Sequence, residues 1–183
     1  MTNGKWILAL ALFFLLATTG LGACNAITAN VPAAGGAQRP ASVKIGDLAP
    51  EIDLKTMTGE TFTLSKLQGK IVLVNFWATW CGPCRAEFPA FVRKSEQYRA
   101  QGFIVVGVNT QDPNSDEGVL TFMRNSVVNF PIVRDPEDRL SRAYRITGLP
   151  TSFFIDRNGI VRDIVIGGPM TDEYLDKQIE KLK

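Results

Sequence analysis

The pattern of apolar and polar residues divides the chain into three parts. Trp6–Ala17 is an unbroken run of twelve apolar residues behind a single basic residue, Lys5. It falls short of the roughly 20 residues that a membrane-spanning helix needs, and it has the length of the apolar core of an export signal. Asn25–Ser42, NAITANVPAAGGAQRPAS, has no apolar period at all. Small polar residues with Pro and Gly cannot bury enough surface to fold, so this stretch reads as a tether of about 25 Å if coiled. Regular patterning begins near Val43 and lasts to Lys183.

Within that last part the periods change repeatedly. EIDLKTMTGETFTLSKL alternates around Thr58-Gly59, which predicts a β-hairpin. Ile71–Ala78, IVLVNFWA, is almost wholly apolar and rich in β-branched residues, as strands buried on both faces are. From Pro83 to about Arg99 the spacing of Phe88, Phe91, Val92 and Tyr98 is helical, with Gly102 closing the helix and Pro89 expected to kink it. Phe103–Asn109 predicts a second buried strand. A helix then runs from Asp116 to about Arg124 with Val119, Leu120 and Met123 on one face, followed by a short strand at Phe130–Asp135 and a short helix in PEDRLSRAY. TSFFID and IVRDIVIG flank Arg157-Asn158-Gly159 as a hairpin. The final helix starts near Thr171 and turns Tyr174, Leu175, Ile179 and Leu182 inward. Strands alternating with helices imply an α/β domain, a central sheet flanked by helices.

Composition narrows the function. The chain has 183 residues, 45% hydrophobic and 21% charged, which suits one domain plus extra sequence. A formal net charge of +2 gives no reason to expect nucleic acid. There is no histidine, which excludes Ser-His and Cys-His nucleophile pairs and every histidine metal ligand.

The three cysteines carry the chemistry. Cys81 and Cys84 stand at the end of the buried strand and just inside the helix after it. Pro83 is tolerated there because first-turn N–H groups have no partner within the helix. Those groups and the helix dipole favour a thiolate on Cys81, while Cys84, deeper in the turn, should be more buried. One sulfur would attack and the other resolve. A disulfide between residues three apart closes almost no loop, so it is a poor staple. A structural zinc needs about four ligands, and the domain has two cysteines. A C-x-x-C at a strand-to-helix junction in an exported chain therefore points to redox work.

WCGPC after a hydrophobic strand resembles the thioredoxin active site. The longer context, DLAPEIDL, LVNFWATWCGPCRAEFP and GLPTSFFID, resembles the TlpA/ResA branch of membrane-attached thioredoxin-like proteins, from about Ile45 to the end. The resemblance implies a thioredoxin-like fold with a central mixed sheet, an N-terminal β-hairpin and an extra strand-helix insertion. It implies thiol–disulfide exchange in which Cys81 attacks and Cys84 resolves, without cofactor or metal. Pro150 matches the family's cis-proline facing the cysteines, and Leu149, Trp80, Gly82 and Pro83 would line the partner-binding groove. Trp77 reads as core. Glu87 matches a glutamate that handles the proton of the resolving cysteine, although an ordinary surface glutamate would fit the same sequence. Asn75 stands where thioredoxins carry a buried aspartate. Gly82-Pro83 is the thioredoxin dipeptide, which in that family accompanies the reducing end of a span of about 150 mV.

LGAC, Leu21–Cys24, resembles the bacterial lipobox, which implies a signal peptide over 1–23, lipidation of Cys24, a tether over 24–42 and the redox domain over 43–183. An uncleaved anchor over Trp6–Ala23 and ordinary secretion are the alternatives. Each puts the domain outside the cytoplasm, at the cell membrane or near it. The resemblance implies protein disulfides as substrates, apocytochrome c among them, and a membrane thiol–disulfide carrier as electron donor. Competing readings are a peroxiredoxin-like thiol peroxidase, which uses an isolated cysteine, an SCO-like copper-delivery protein, which relies on a histidine, and a non-catalytic module, which usually loses the cysteines.

Overall fold

A computed structural model describes residues 43–183; the expected signal over 1–23, Cys24 and the tether over 24–42 lie outside the described residues. β1 (Asp53–Lys55) and β2 (Thr61–Thr63) form the leading hairpin, with Leu54 opposite Phe62. Its turn uses Gly59 at φ 94°, a conformation that a side chain would strain. β3 (Ile71–Trp77) follows, buried along its whole length, and then α1 (Gly82–Gln97). Next come β4 (Phe103–Thr110), α2 (Asp116–Asn125), β5 (Ile132–Asp135) and α3 (Arg139–Tyr144). The chain closes with β6 (Thr151–Ile155), β7 (Val161–Ile166) and α4 (Asp172–Lys181).

The main sheet has the order β5-β4-β3-β6-β7. β3, β4 and β5 run parallel, while β6 and β7 are antiparallel to their neighbours. This is the mixed sheet of the thioredoxin-like fold. The stretch from α2 through β5 adds a strand at the sheet edge, and the hairpin partly covers that edge. Thr56 bridges to Val133, and the Met57 N–H donates to the Ile132 carbonyl at 2.8 Å.

Two apolar layers sandwich the sheet. One joins Ile71, Leu73, Phe103, Val105 and Phe154 to α1 and to Leu175 and Ile179 of α4. Aromatic rings dominate it: Trp77 lies 4.6 Å from Phe88 and 4.8 Å from Phe122, centroid to centroid. Such pairs contribute about 0.5–1.5 kcal/mol each beyond their burial. The other layer sets Val72, Val74, Phe76, Val106, Val108 and Phe153 against Leu140 and Tyr144 of α3 and Phe62 of the hairpin.

Boundaries differ from the sequence reading where proline intervenes. β5 starts at Ile132 because Pro131 has no N–H for the ladder. α3 starts at Arg139, after a turn in which the Asp138 N–H donates to the Asp135 carbonyl and Asp138 takes φ 55°. α1 spans Pro89 without interruption. Arg85 and Pro89 are both exposed, so the bond that the proline cannot donate to the Arg85 carbonyl is missing on the solvent side of the helix.

Candidate active site

Each strand of the parallel part delivers its C-terminal end to the same place. β3 ends at Trp77, the chain turns through Ala78–Trp80, and Cys81 caps α1. The Cys81 N–H donates to the Ala78 carbonyl at 3.1 Å, and the Cys84 N–H donates to Cys81 Sγ at 3.2 Å. The sulfur thus occupies the acceptor position that a serine or aspartate fills at other helix starts. Pro83 lies in the first turn. Cys81 and Cys84 are joined by a disulfide, with their Cα atoms 5.3 Å apart. Cys84 is fully buried and Cys81 is 4% exposed. Gly82 and Pro83 between them are exposed.

Trp77 is wholly buried, whereas Trp80 is 58% exposed and donates its indole N–H to the Gln111 carbonyl at 2.8 Å. The Leu149–Pro150 peptide is cis. Half-buried Leu149 packs on the layer that contains both cysteines. A second cis peptide, Gly168–Pro169, lies in the loop between β7 and α4.

Glu87 settles on the interior side. Its side chain is fully buried, one helical turn after Cys84. Oε1 accepts from Asn75 Nδ2 at 2.8 Å, and Oε2 accepts from the Met170 N–H at 3.3 Å. Asn75 Nδ2 also donates to Ser152 Oγ at 2.9 Å, from the residue directly across the β3–β6 ladder. Burial raises the Glu87 pKa to about 7, against the lowering effect of the Met170 and Asn75 donors. Gly168 closes the pocket: a Cβ there would lie 2.8 Å from Glu87 Oε2 and 2.9 Å from Pro150 Cγ. One glycine therefore brings the carboxylate and the cis-proline together.

The sequence reading contained no role for Ser152, Gly168, Met170 or Asp112. The only local trace of Gly168 and Met170 is the Gly-Gly-Pro run at 167–169, which signals a turn and nothing about where it packs. Among the described residues, no three His, Cys, Asp or Glu side chains are grouped to hold a metal ion.

This geometry offers a dithiol–disulfide pair in which Cys81 keeps a trace of exposure between exposed neighbours and Cys84 has none, and a buried carboxylate able to change charge near neutral pH. Comparison with known proteins agrees. The AhpC/TSA family model matches residues 45–164. The thiol-disulfide oxidoreductase ResA of Geobacillus kaustophilus is 37% identical over 142 residues, 78% of this chain and 80% of that protein. This chain belongs to the ResA-like thiol-disulfide oxidoreductases of that family. The thioredoxin-like protein YneN of Bacillus subtilis is 32% identical over 177 residues, 96% of this chain and 97% of its own length. Among solved structures, a Chlorobium tepidum chain proposed to be the thiol:disulfide interchange protein DsbE superposes with a TM-score of 0.71 at 38% identity, covering 77% of this chain and 99% of that one. As a ResA-like oxidoreductase, the protein is an enzyme with a disulfide-reducing role carried by a cysteine pair.

Proposed function

We propose that the domain is held at the outer face of a bacterial cell membrane and reduces disulfides in exported proteins, apocytochrome c among them. Cys81, as thiolate, attacks one sulfur of the partner disulfide. A Cys81–partner bond forms and the other partner sulfur leaves as a thiolate. Cys84 passes its proton to the Glu87 carboxylate and attacks Cys81 Sγ. The mixed disulfide breaks, the second partner thiolate departs, and the Cys81–Cys84 disulfide remains. The partner has gained two electrons, which a membrane thiol–disulfide carrier must return to the domain.

The observation that carries this reading is the asymmetry of the pair: Cys81, 4% exposed, lies between exposed Trp80 and exposed Gly82, and Cys84 lies fully buried one turn from a carboxylate with a pKa near neutrality. Trp80, Gly82, Pro83, Leu149 and Pro150 form the partner groove in this reading. The tether over 24–42, with lipid on Cys24, supplies the anchor; among the described residues no helix is long and apolar enough to cross a membrane. Stable anchoring would take more than one acyl chain.

Replacing Cys84 with Ser in cells stops the second step. The expected result is a partner covalently held on Cys81 and released by dithiothreitol, with a c-type apocytochrome among the trapped species. An untrapped variant, or steady peroxide consumption by the wild type with a thiol donor, would overturn the proposal.

A further inference from the structure

The loop between β4 and α2 is built around Asp112. Its Oδ2 accepts from the Thr79 backbone N–H at 2.6 Å and from Asn109 Nδ2 at 2.8 Å. Its Oδ1 accepts from Thr79 Oγ1 at 2.9 Å and from the Asn114 N–H at 3.1 Å. Two of these four donors belong to Thr79, two residues before Cys81. Thr79 Oγ1 also accepts from Asn114 Nδ2 at 2.5 Å. The neighbouring carbonyl, that of Gln111, takes the indole N–H of Trp80. Gln111 itself holds φ 50°, which a residue with a side chain adopts only under constraint.

The loop is fixed from behind as well. Arg134 on β5 donates through Nη2 to the Asp112 carbonyl at 3.3 Å and to the Asn114 carbonyl, while Nη1 pairs with Asp116 at 2.7 Å. Burial works against the charge on Asp112, yet the donors from Asn109, Thr79 and Asn114 hold its carboxyl below the usual carboxylate range. Charge-assisted hydrogen bonds of this kind are the strong ones. The loop thus grips both residues that precede the attacking sulfur, and β5 braces the loop.

We propose that Asp112 is a positioning residue for disulfide exchange, fixing the Thr79–Trp80 segment so that Trp80 presents an immobile apolar face to a polypeptide partner while Cys81 attacks. A large side chain that is already immobile loses little freedom when a partner docks on it. This rests on the reading of Cys81 as the nucleophile for polypeptide disulfides. A small disulfide reaches Cys81 without covering Trp80, so the two substrate sizes separate docking from chemistry.

The test uses the full chain in detergent, with Asp112→Ala and the near-isosteric Asp112→Asn. The substrates are hydroxyethyl disulfide and a synthetic peptide with an oxidised Cys-x-x-Cys-His and flanking sequence on both sides. In Asp112→Ala the KM for the peptide should rise about tenfold, while turnover of hydroxyethyl disulfide stays within about twofold of wild type. Asp112→Asn keeps one acceptor and should fall between. The Trp80 indole N–H resonance, assigned with Trp80→Phe, should move toward that of an unbonded indole in both variants. An unchanged peptide KM overturns the proposal. So do equal losses on both substrates that track a lower melting temperature, because they would mark a merely structural role. Wild-type protein inactive on both substrates would overturn the functional reading itself, and this proposal with it.

Discussion

The two faces of the central sheet use the same strands and differ at one end. On the face covered by the hairpin and α3, Val72, Val74, Phe76, Val106, Val108, Phe153 and Ile155 make an apolar layer. It ends in buried Thr110, Asp135 and Ser141, where Thr110 Oγ1 and Ser141 Oγ lie 2.6 Å apart and the Ser141 N–H donates to Asp135 Oδ2 at 2.9 Å. On the α1 face the alternation starts alike, with Ile71, Leu73, Phe103, Val105 and Phe154. It then changes toward the C-terminal ends of β3 and β4, where Asn75, Gly107 and Asn109 follow and Ser152 lies opposite Asn75. Glu87 is buried beside Asn75. Asn75 Oδ1, Trp77 Nε1 and Asn109 Oδ1 are buried there with no hydrogen-bond partner among the described residues. One face thus buries only polar groups that bond to one another, and the other buries an ionisable carboxyl at the end where the cysteines sit. That end is also where open α/β sheets place their crevices, beyond the carboxyl ends of parallel strands.

The largest test of this contrast lies on the apolar face. Phe76 is fully buried, 5.0 Å from the Tyr144 ring and 6.0 Å from the Phe153 ring. Phe76→Ala should lower the urea unfolding free energy by about 3–5 kcal/mol, while the folded fraction still exchanges disulfides. A small stability loss with abolished exchange would break the division between faces.

On the polar face the cost should depend on pH. The Glu87 pKa is about 7 in the folded protein against an ordinary 4.5. Below the ordinary value the carboxyl is protonated in both states, and its stabilising contribution is complete. As pH rises toward 7 the unfolded chain ionises first and binds fewer protons than the folded one, so stability falls, by about 3 kcal/mol in all. Unfolding by urea from about pH 4 to about pH 8 should show this decline in wild type and lose it in Glu87→Gln. Parallel profiles for the two proteins would mean that the carboxyl is not held in the way its burial indicates.

The smallest effect sharpens the contrast from the apolar side. The Tyr144 hydroxyl donates to the Pro50 carbonyl at 2.6 Å, behind the sheet from the cysteines. Tyr144→Phe should cost about 1 kcal/mol of stability and leave the pH profile of exchange unchanged. A shifted profile would show that the two faces are coupled through β3.

The succession of elements was legible in the sequence because its signals are local. IVLVNFWA and FIVVGVN are buried on both faces of a sheet, and their composition says so without reference to anything distant. The same holds for CGPC at a strand-to-helix junction and for the hairpin around Arg157-Asn158-Gly159. The state of Glu87 was not legible: Arg-Ala-Glu reads equally well as surface, and only packing chose. Its partners stand 12 and 83 residues away at Asn75 and Met170, and Ser152 lies 77 residues from Asn75. Asp112 likewise meets Thr79 across 33 residues. A pKa is set by how much water and charge surround a group. That environment exists only once α1, the β7–α4 loop and the sheet have closed on one another.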